Sequence, residues 1–412
     1  MLLQFNFENF RSFKYKASLD MTAAGISEMP VNYVETGGEK GLLASAIFGA
    51  NGSGKTNVYE AFACMTRFVL NSLQYGKDHS LFMRNLPEPF LFDENSAKGN
   101  TSFEVYFILP DDPHEKTYHY GFSLNKEGIV EEWLNVKAKT ARTERVVFYR
   151  SPDEIDLGGL KKSEQILMNR SVQKETLLIS LGAGLKIDIC MKIRNWFRNN
   201  RLIDFDDLMR SKDISDILPA GFLTDQKVRN HVVQYLHSFD HSIQGFRIED
   251  DTSSGRIGIR CLHQMEDGKN MAAIPLQNES AGTLKMLAMY QSLLDVLNHG
   301  GVFLIDEIDS SLHPLLVRYF VVLFHARNEN PNHAQLIFTT HDTFQLSNDA
   351  FRRDEIWFAE KDEKGESSLY SLVDFVDADG KHIRKDADYE KNYLYGRYGA
   401  IPALDPMYLS VR

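Results

Sequence analysis

Hydrophobic positions along the chain change period several times, and each change predicts a different kind of element. Alternation at 4–7 and 17–21 predicts two early strands, and the apolar run 46–48 predicts a third, with a helix over 57–73 behind it. Four further strands, at 102–109, 116–124, 129–139 and 146–150, are separated by turn clusters such as Pro110-Asp111-Asp112-Pro113 and Asn125-Lys126-Glu127-Gly128. That spacing predicts an antiparallel meander. Helical periods take over from 151 to 242, with Ile187, Met191, Ile193, Trp196 and Phe197 on one face and Val228, Val232, Val233 and Leu236 on another. Strand and helix then alternate: helix 280–299, buried strand 301–306, helix 314–327, buried strand 335–340, and a hairpin made of 356–361 and 367–373. An α/β core split by a helical insertion follows.

The stretch Gly49-Ala50-Asn51-Gly52-Ser53-Gly54-Lys55-Thr56 lies between the third strand and its helix and is a complete G-x-x-x-x-G-K-T loop. Its glycines let backbone N–H groups turn inward around a β-phosphate, Lys55 reaches the β/γ oxygens, and the Thr56 hydroxyl ligates Mg²⁺. The helix behind it points its positive end at the same anion. Nucleotide binding with Mg²⁺ is therefore expected at Gly49, Asn51, Gly52, Ser53, Gly54, Lys55 and Thr56, while the loop alone leaves open which of many P-loop machines this is.

The strand Val302-Phe303-Leu304-Ile305 runs into Asp306-Glu307. Beside a phosphate loop, the first acid supports the Mg²⁺ shell and the second polarises an attacking water. The strand Leu336-Ile337-Phe338-Thr339-Thr340 ends in His341, where ligands bind in open α/β sheets.

In this order, the phosphate loop, Glu279-Ser280-Ala281-Gly282-Thr283-Leu284-Lys285, Leu304-Ile305-Asp306-Glu307, Ser310-Ser311-Leu312-His313-Pro314 and Thr339-Thr340-His341-Asp342 together resemble the ABC-type ATPase heads of the SMC, RecF and OLD group. More closely, the chain resembles the AAA-type ATPases of prokaryotic abortive-infection loci, such as the AbiL and RloA proteins. The opening Phe7-Glu8-Asn9-Phe10-Arg11-Ser12-Phe13 and the closing Gly396-Arg397-Tyr398-Gly399-Ala400-Ile401-Pro402 fit that subgroup.

The resemblance implies an α/β P-loop NTPase of the ABC-ATPase head type, with a mixed or parallel core sheet, an antiparallel meander and an inserted helical lobe. Residues 1–150 would be the first half of the head, 151–265 a mainly helical lobe, and 266–412 the second half. It also implies ATP as the nucleotide, and roles: Glu307 the general base, Asp306 and Thr56 on Mg²⁺, His341 the γ-phosphate sensor, Lys55 catalytic, and Arg11 close to the phosphates. Ser280 and Gly282 would cap the γ-phosphate of a second copy, and 310–313 would communicate across that dimer. Ala281 and Thr283 depart from the commoner Ser-Gly-Gly-Gln signature. The expected setting is antiphage defence, as a homodimer or higher homo-oligomer controlling a separately encoded effector, a nuclease. Rival readings are a RecF-like ATPase that clamps DNA and a scaffold that holds ATP with little turnover. Nucleic-acid contact stays open.

Composition narrows this little further. The 412 residues are 43% apolar and 25% charged, ordinary values for a folded protein. A net charge of −11 gives no global attraction to nucleic acid. No stretch is apolar for long enough to span a bilayer, no leader pattern opens the chain, and three scattered cysteines suggest no disulfide framework, so a cytoplasmic protein is expected. The thirteen histidines show no H-E-x-x-H or Cys/His zinc spacing. Asp377-Ala378-Asp379-Gly380 reads as a turn, since Glu360 lies too close in sequence for the crossover that a two-strand metal site needs. Basic residues at Lys161, Lys162, Arg198, Arg201 and 381–385 read as solvated faces, and Trp196, Phe197, Tyr235 and Phe239 as packing residues.

Overall fold

The computed structural model describes residues 1–110, 112–205, 217–251, 256–377 and 380–402. Its first half holds strands β1 (Leu2–Glu8), β2 (Ala17–Asp20), β3 (Tyr33–Thr36), β4 (Glu39–Leu42) and β5 (Ala44–Phe48), then helices α1 (Lys55–Tyr75), α2 (His79–Asn85) and α3 (Glu94–Lys98). The meander follows as β6 (Thr101–Ile108), β7 (Thr117–Asn125), β8 (Gly128–Lys137), β9 (Arg145–Arg150) and β10 (Ile155–Asp156). Next come α4 (Lys162–Ser171), α5 (Leu178–Gly184), α6 (Asp188–Asn199), β11 (Arg201–Asp204), α7 (Gln226–His237), β12 (Ile243–Asp251), β13 (Arg256–Gln264) and β14 (Met271–Pro275). The last part is α8 (Ala281–His299), β15 (Val302–Asp306), α9 (Pro314–His325), β16 (Gln335–Thr339), β17 (Ile356–Lys361), β18 (Ser367–Ser371) and α10 (Tyr389–Leu394).

A six-stranded sheet in the order β11-β15-β16-β5-β17-β18 forms the centre. Its first five strands run parallel and β18 returns antiparallel. The near-continuous apolar sequence of these strands has a direct cause: both faces are covered. Ile47, Val302, Leu304, Ile337, Trp357 and Ala359 enter one core, while Ala44, Ala46, Phe48, Phe303, Ile305, Leu336, Phe338, Ile356 and Phe358 enter the other, as the two-residue period of a strand requires.

Helix α1 lies against the first face, touching β15 and β16 on one side and β6 of a seven-stranded antiparallel sheet on the other. That second sheet, ordered β10-β9-β8-β7-β6-β1-β2, adds the chain's opening strands to the meander. Phe5, on β1, meets Phe62 of α1 edge-on at 5.1 Å. The buried Gln335 amide joins the sheets: it accepts from Leu2 N–H at 2.6 Å and donates to Leu2 O at 2.9 Å and Leu42 O at 2.8 Å. Helices α8 and α9 cover the opposite face.

The expected helical lobe differs from the structure in three respects. Helices α5 and α6 pack directly on α1 and complete the first core, burying Ile193, Trp196 and Phe197. Residues 201–204, expected within a helical region, form β11 and pair in parallel with β15. Strands β12, β13 and β14 form a three-stranded antiparallel sheet that runs past the boundary expected at 265. Four residues are too few to show a strand period, and the polar faces of the small sheet hid its alternation. Asp111, Ala378 and Asp379 lie outside the described residues, while Asp377 O accepts from Gly380 N–H in a turn. Glu360, set aside as a metal ligand, accepts from Ala400 N–H at 3.0 Å and Tyr370 Oη at 3.2 Å.

Glu132, on β8, is a buried acid that fixes the first core. Its carboxylate accepts from Leu178 N–H at 2.5 Å, Ile179 N–H at 2.9 Å and Tyr120 Oη at 3.0 Å, with Arg150 nearby. Burial nevertheless outweighs these partners and pushes its pKa from 4.5 up to about 7. A folded chain that holds this proton more tightly than the unfolded one is stabilised below about 4.5, and that contribution is lost as pH rises through about 7. Urea midpoints measured across that window should therefore fall with pH by an amount equivalent to at most about 3 kcal/mol. Glu132→Gln should flatten the fall, and an equally steep fall in that variant would remove Glu132 as its source.

Candidate functional site

All five parallel strands end at one edge of the central sheet, so the residues just beyond β5, β15, β16 and β17 are brought together. A cleft of about 430 Å³ opens there, lined by 51–57, Glu307, His341 and Lys361. After β5 the chain turns at Gly49, whose φ is 155° and where a Cβ would lie 2.3 Å from Ala359 O on the neighbouring strand. Only glycine fits that approach. Gly54, at φ 110°, then starts α1 with its first turn facing the cleft. Ser53 Oγ is buried with no hydrogen-bond partner, an unsatisfied donor inside the loop.

Lys55 is 4% exposed. Its Nζ donates to Gly49 O at 2.9 Å and Ala50 O at 3.0 Å and lies 3.5 Å from His341 Nδ1. Burial lowers its pKa from 10.5 to about 8, against the pull of Glu307, Asp306 and Asp309. His341 is also shifted down, first by burial and then by Lys55. Its Nε2 stands 3.8 Å from Glu307 Oε1. Lys55, His341 and Glu307 thus form a chain of neighbours across the cleft.

Thr339 organises the two acids. Its hydroxyl donates to Asp306 Oδ1 at 2.5 Å and accepts from Glu307 N–H at 2.8 Å. Asp306 is buried, and burial raises its pKa despite hydrogen bonds from Thr339 and Thr56. Asp204, at the end of β11 and in register with Asp306, adds to that upward push. Glu307 breaks from the strand at φ 49°, a left-handed conformation that costs a non-glycine residue on the order of 1 kcal/mol, and its carboxylate is about half exposed.

The expected residues do not all converge. Gly49 to Thr56, Asp306, Glu307 and His341 meet at the cleft or directly behind it. Arg11 does not line it: its guanidinium donates to Asn57 Oδ1 at 3.3 Å and pairs with Glu60 at 3.6 Å, so Asn57 stands at the cleft and Arg11 behind. Ser280 and Gly282 lie outside it as well. Ser280 caps α8, accepting from Thr283 N–H at 3.1 Å. A Cβ on Gly282 would lie 2.9 Å from Ser311 O, so the start of α8 packs tightly on the loop beyond Glu307.

Sequence reasoning missed four contributors: Thr339, Asp204, Lys361 and Lys285. Lys285 is buried, with Nζ donating to Glu307 O and Ile308 O at 3.0 Å and to Ser310 O at 2.7 Å, and lying 3.8 Å from the Phe205 ring centroid. Lys361 could have been found only by knowing that β17 runs parallel beside β5.

As a donor set the cleft fits a nucleotide with Mg²⁺. Inward backbone and an unpartnered serine suit phosphate, while the Thr56 hydroxyl, hydrogen-bonded to a buried acid, suits a hard cation.

A family model described as "AAA domain, putative AbiEii toxin, Type IV TA system" matches residues 44–347. No curated protein matches the chain. Similar solved structures include an SMC head bound to the C-terminal winged-helix domain of ScpA, with 15% identity, a TM-score of 0.44, and coverage of 90% of this chain and 97% of that one. The SMC head domain of Thermotoga maritima has 15% identity, a TM-score of 0.41 and coverage of 90% and 98%. An SMC head with coiled coil and joint derived from Pyrococcus yayanosii has 13% identity, a TM-score of 0.41 and coverage of 90% and 97%. The α/β P-loop fold expected from sequence is the fold observed. Among the described residues no helix is long and apolar enough to cross a membrane.

Replacing the Thr339 hydroxyl tests how the acids are held. Thr339→Val keeps the shape but leaves the Asp306 carboxylate and Glu307 N–H without this partner. Equilibrium urea unfolding should show a loss of about 1–3 kcal/mol. An unchanged midpoint would mean that the acids are held by other contacts.

Proposed function

The chain belongs to the AbiEii-type AAA-domain family, and on that premise we propose that it binds ATP with Mg²⁺ in the cleft and hydrolyses it as two copies close on each other. The observation that carries this reading is the convergence of Lys55, His341 and Glu307 at the mouth of the phosphate loop, with Asp306 held behind them by Thr56 and Thr339.

Each group has a task that its surroundings suit. The backbone of 49–54 and the Lys55 ammonium hold the β- and γ-phosphates, and α1 presents its N-terminal N–H groups to them. Thr56 and Asp306 would hold Mg²⁺, which would supply positive charge against that developing on the phosphates. Glu307, half exposed and turned into the cleft, takes the proton of the attacking water. His341 donates to the γ-phosphate; kept neutral by burial and by Lys55, it acts as a hydrogen-bond donor rather than a second fixed cation.

Ser280 and Gly282 lie outside the cleft formed by their own chain, which is what the capping of a second copy's nucleotide requires. In the proposed cycle, bound ATP joins two copies through their Ser280 faces and hydrolysis loosens them. The cycle would gate a separately encoded effector, a nuclease, in cytoplasmic antiphage defence.

Glu307→Gln should reduce ATP turnover by about 10²-fold or more while retaining ATP-dependent dimers in light scattering. Lys55→Ala should lose both. Turnover unchanged in Glu307→Gln would remove Glu307 as the base. Undetectable turnover in the unaltered chain, with nucleotide binding retained, would favour a scaffold over an ATPase. A salt-sensitive, ATP-dependent affinity for DNA would favour a clamp.

A further inference from the structure

A second cluster of donor atoms lies away from the cleft, where the small sheet meets the start of α8. Cys261 and His263 are two residues apart on β13 and so share a face. Glu279, 16 residues beyond His263, enters the same space just before Ser280. One ligand atom from each of the three lies within 4.8 Å of the others. Cys261 is fully buried, and the side chains of His263 and Glu279 are only 14% and 7% exposed.

A His–Glu ion pair alone would account for the 2.8 Å contact between His263 Nε2 and Glu279 Oε1. The Cys261 thiol joins them through a hydrogen bond to Glu279, so three different donors converge on one point, and the pair alone does not account for how the other side of the ring is fixed. His263 Nδ1 lies 3.0 Å from Ser242 Oγ, which donates to Asp240 Oδ1 at 2.6 Å. Holding the second ring nitrogen through a hydroxyl to a carboxylate is the outer-shell arrangement of metal-binding histidines.

Thiolate, imidazole and carboxylate together are the donors of a borderline-soft cation, and the hard ions Mg²⁺ and Ca²⁺ do not select sulfur. At metal bonds of about 2.0 Å to nitrogen and oxygen, two tetrahedral donors stand roughly 3.3 Å apart, so His263 and Glu279, now at 2.8 Å, need separate by only about 0.5 Å. We propose that Cys261, His263 and Glu279 form a Zn²⁺ site that ties β13 to the residue immediately preceding Ser280. On binding, the Cys261 thiol releases its proton to solvent, the His263–Glu279 hydrogen bond is replaced by two bonds to the metal, and water takes the fourth position. The spacing carries no sequence motif because Glu279 arrives through β14 and its following turn.

The site does not rest on the ATPase reading, and its test uses metal alone. The 412-residue chain, stripped by chelator and titrated with Zn²⁺, should bind one equivalent, and Co²⁺ in its place should give thiolate-to-metal charge-transfer absorption. That band distinguishes this site from the sulfur-free cleft. Cys261→Ser should abolish it, Glu279→Gln should weaken Zn²⁺ binding about tenfold or more, and Cys64→Ser should leave both intact. His263→Ala, checked by circular dichroism, provides a second test should Cys261→Ser fail to fold. A wild-type chain without the band, or a folded Cys261→Ser or His263→Ala chain that keeps it, would overturn the proposal.

Discussion

The parallel pairing of β16 with β5 is the constraint on which the site depends. Leu336, Ile337, Phe338 and Thr339 lie opposite Ala44, Ser45, Ala46 and Ile47, so chain segments almost 300 residues apart end at the same sheet edge. A sliding register is opposed by burial on both faces: a shift of one residue would send Ile337 and Ile47 to the core now filled by Phe338 and Ala46. Apolar packing therefore sets where the polar residues emerge. Lys55 meets His341, 286 positions later, because Phe338 and Phe48 have nowhere else to go.

The loop after β15 connects this edge to the rest of the molecule. Thr339 fixes its first two residues, and Lys285 holds the next ones by their carbonyl oxygens. Three backbone carbonyls and an aromatic face surround the buried Lys285 ammonium. Glu307 thus belongs mechanically to α8 as much as to β15. Its strained φ and exposed carboxylate are held from both sides.

The phosphate loop and the acid-ended strand were legible because their chemistry demands contiguous residues in a fixed order. The fold class was legible for a related reason: strands buried on both faces leave long apolar runs between helical periods. Legibility failed where position depends on a distant neighbour. Lys361 becomes a cleft residue only because Ile356, Trp357 and Phe358 pair in parallel with β5, a fact absent from the hairpin's own sequence. Arg201-Leu202-Ile203-Asp204 is too short to carry a period, and it is a strand because β15 offers an open edge. Arg11 looked poised for phosphate, yet Asn57 and Glu60 hold its guanidinium behind the cleft.

Placement of α8 links the loop after β15 to the small sheet. Its first turn is tethered on two sides, with Gly282 packed against Ser311 O and Lys285 gripping the Glu307–Ser310 backbone. Glu279, one residue before the cap, reaches His263 on the small sheet. The start of α8 is therefore a packed junction between the Glu307–Ser311 loop and β12–β14, and close packing resists deformation there. The small sheet stands at the far end of that junction, joined to it by the Glu279–His263 contact and apart from the cleft.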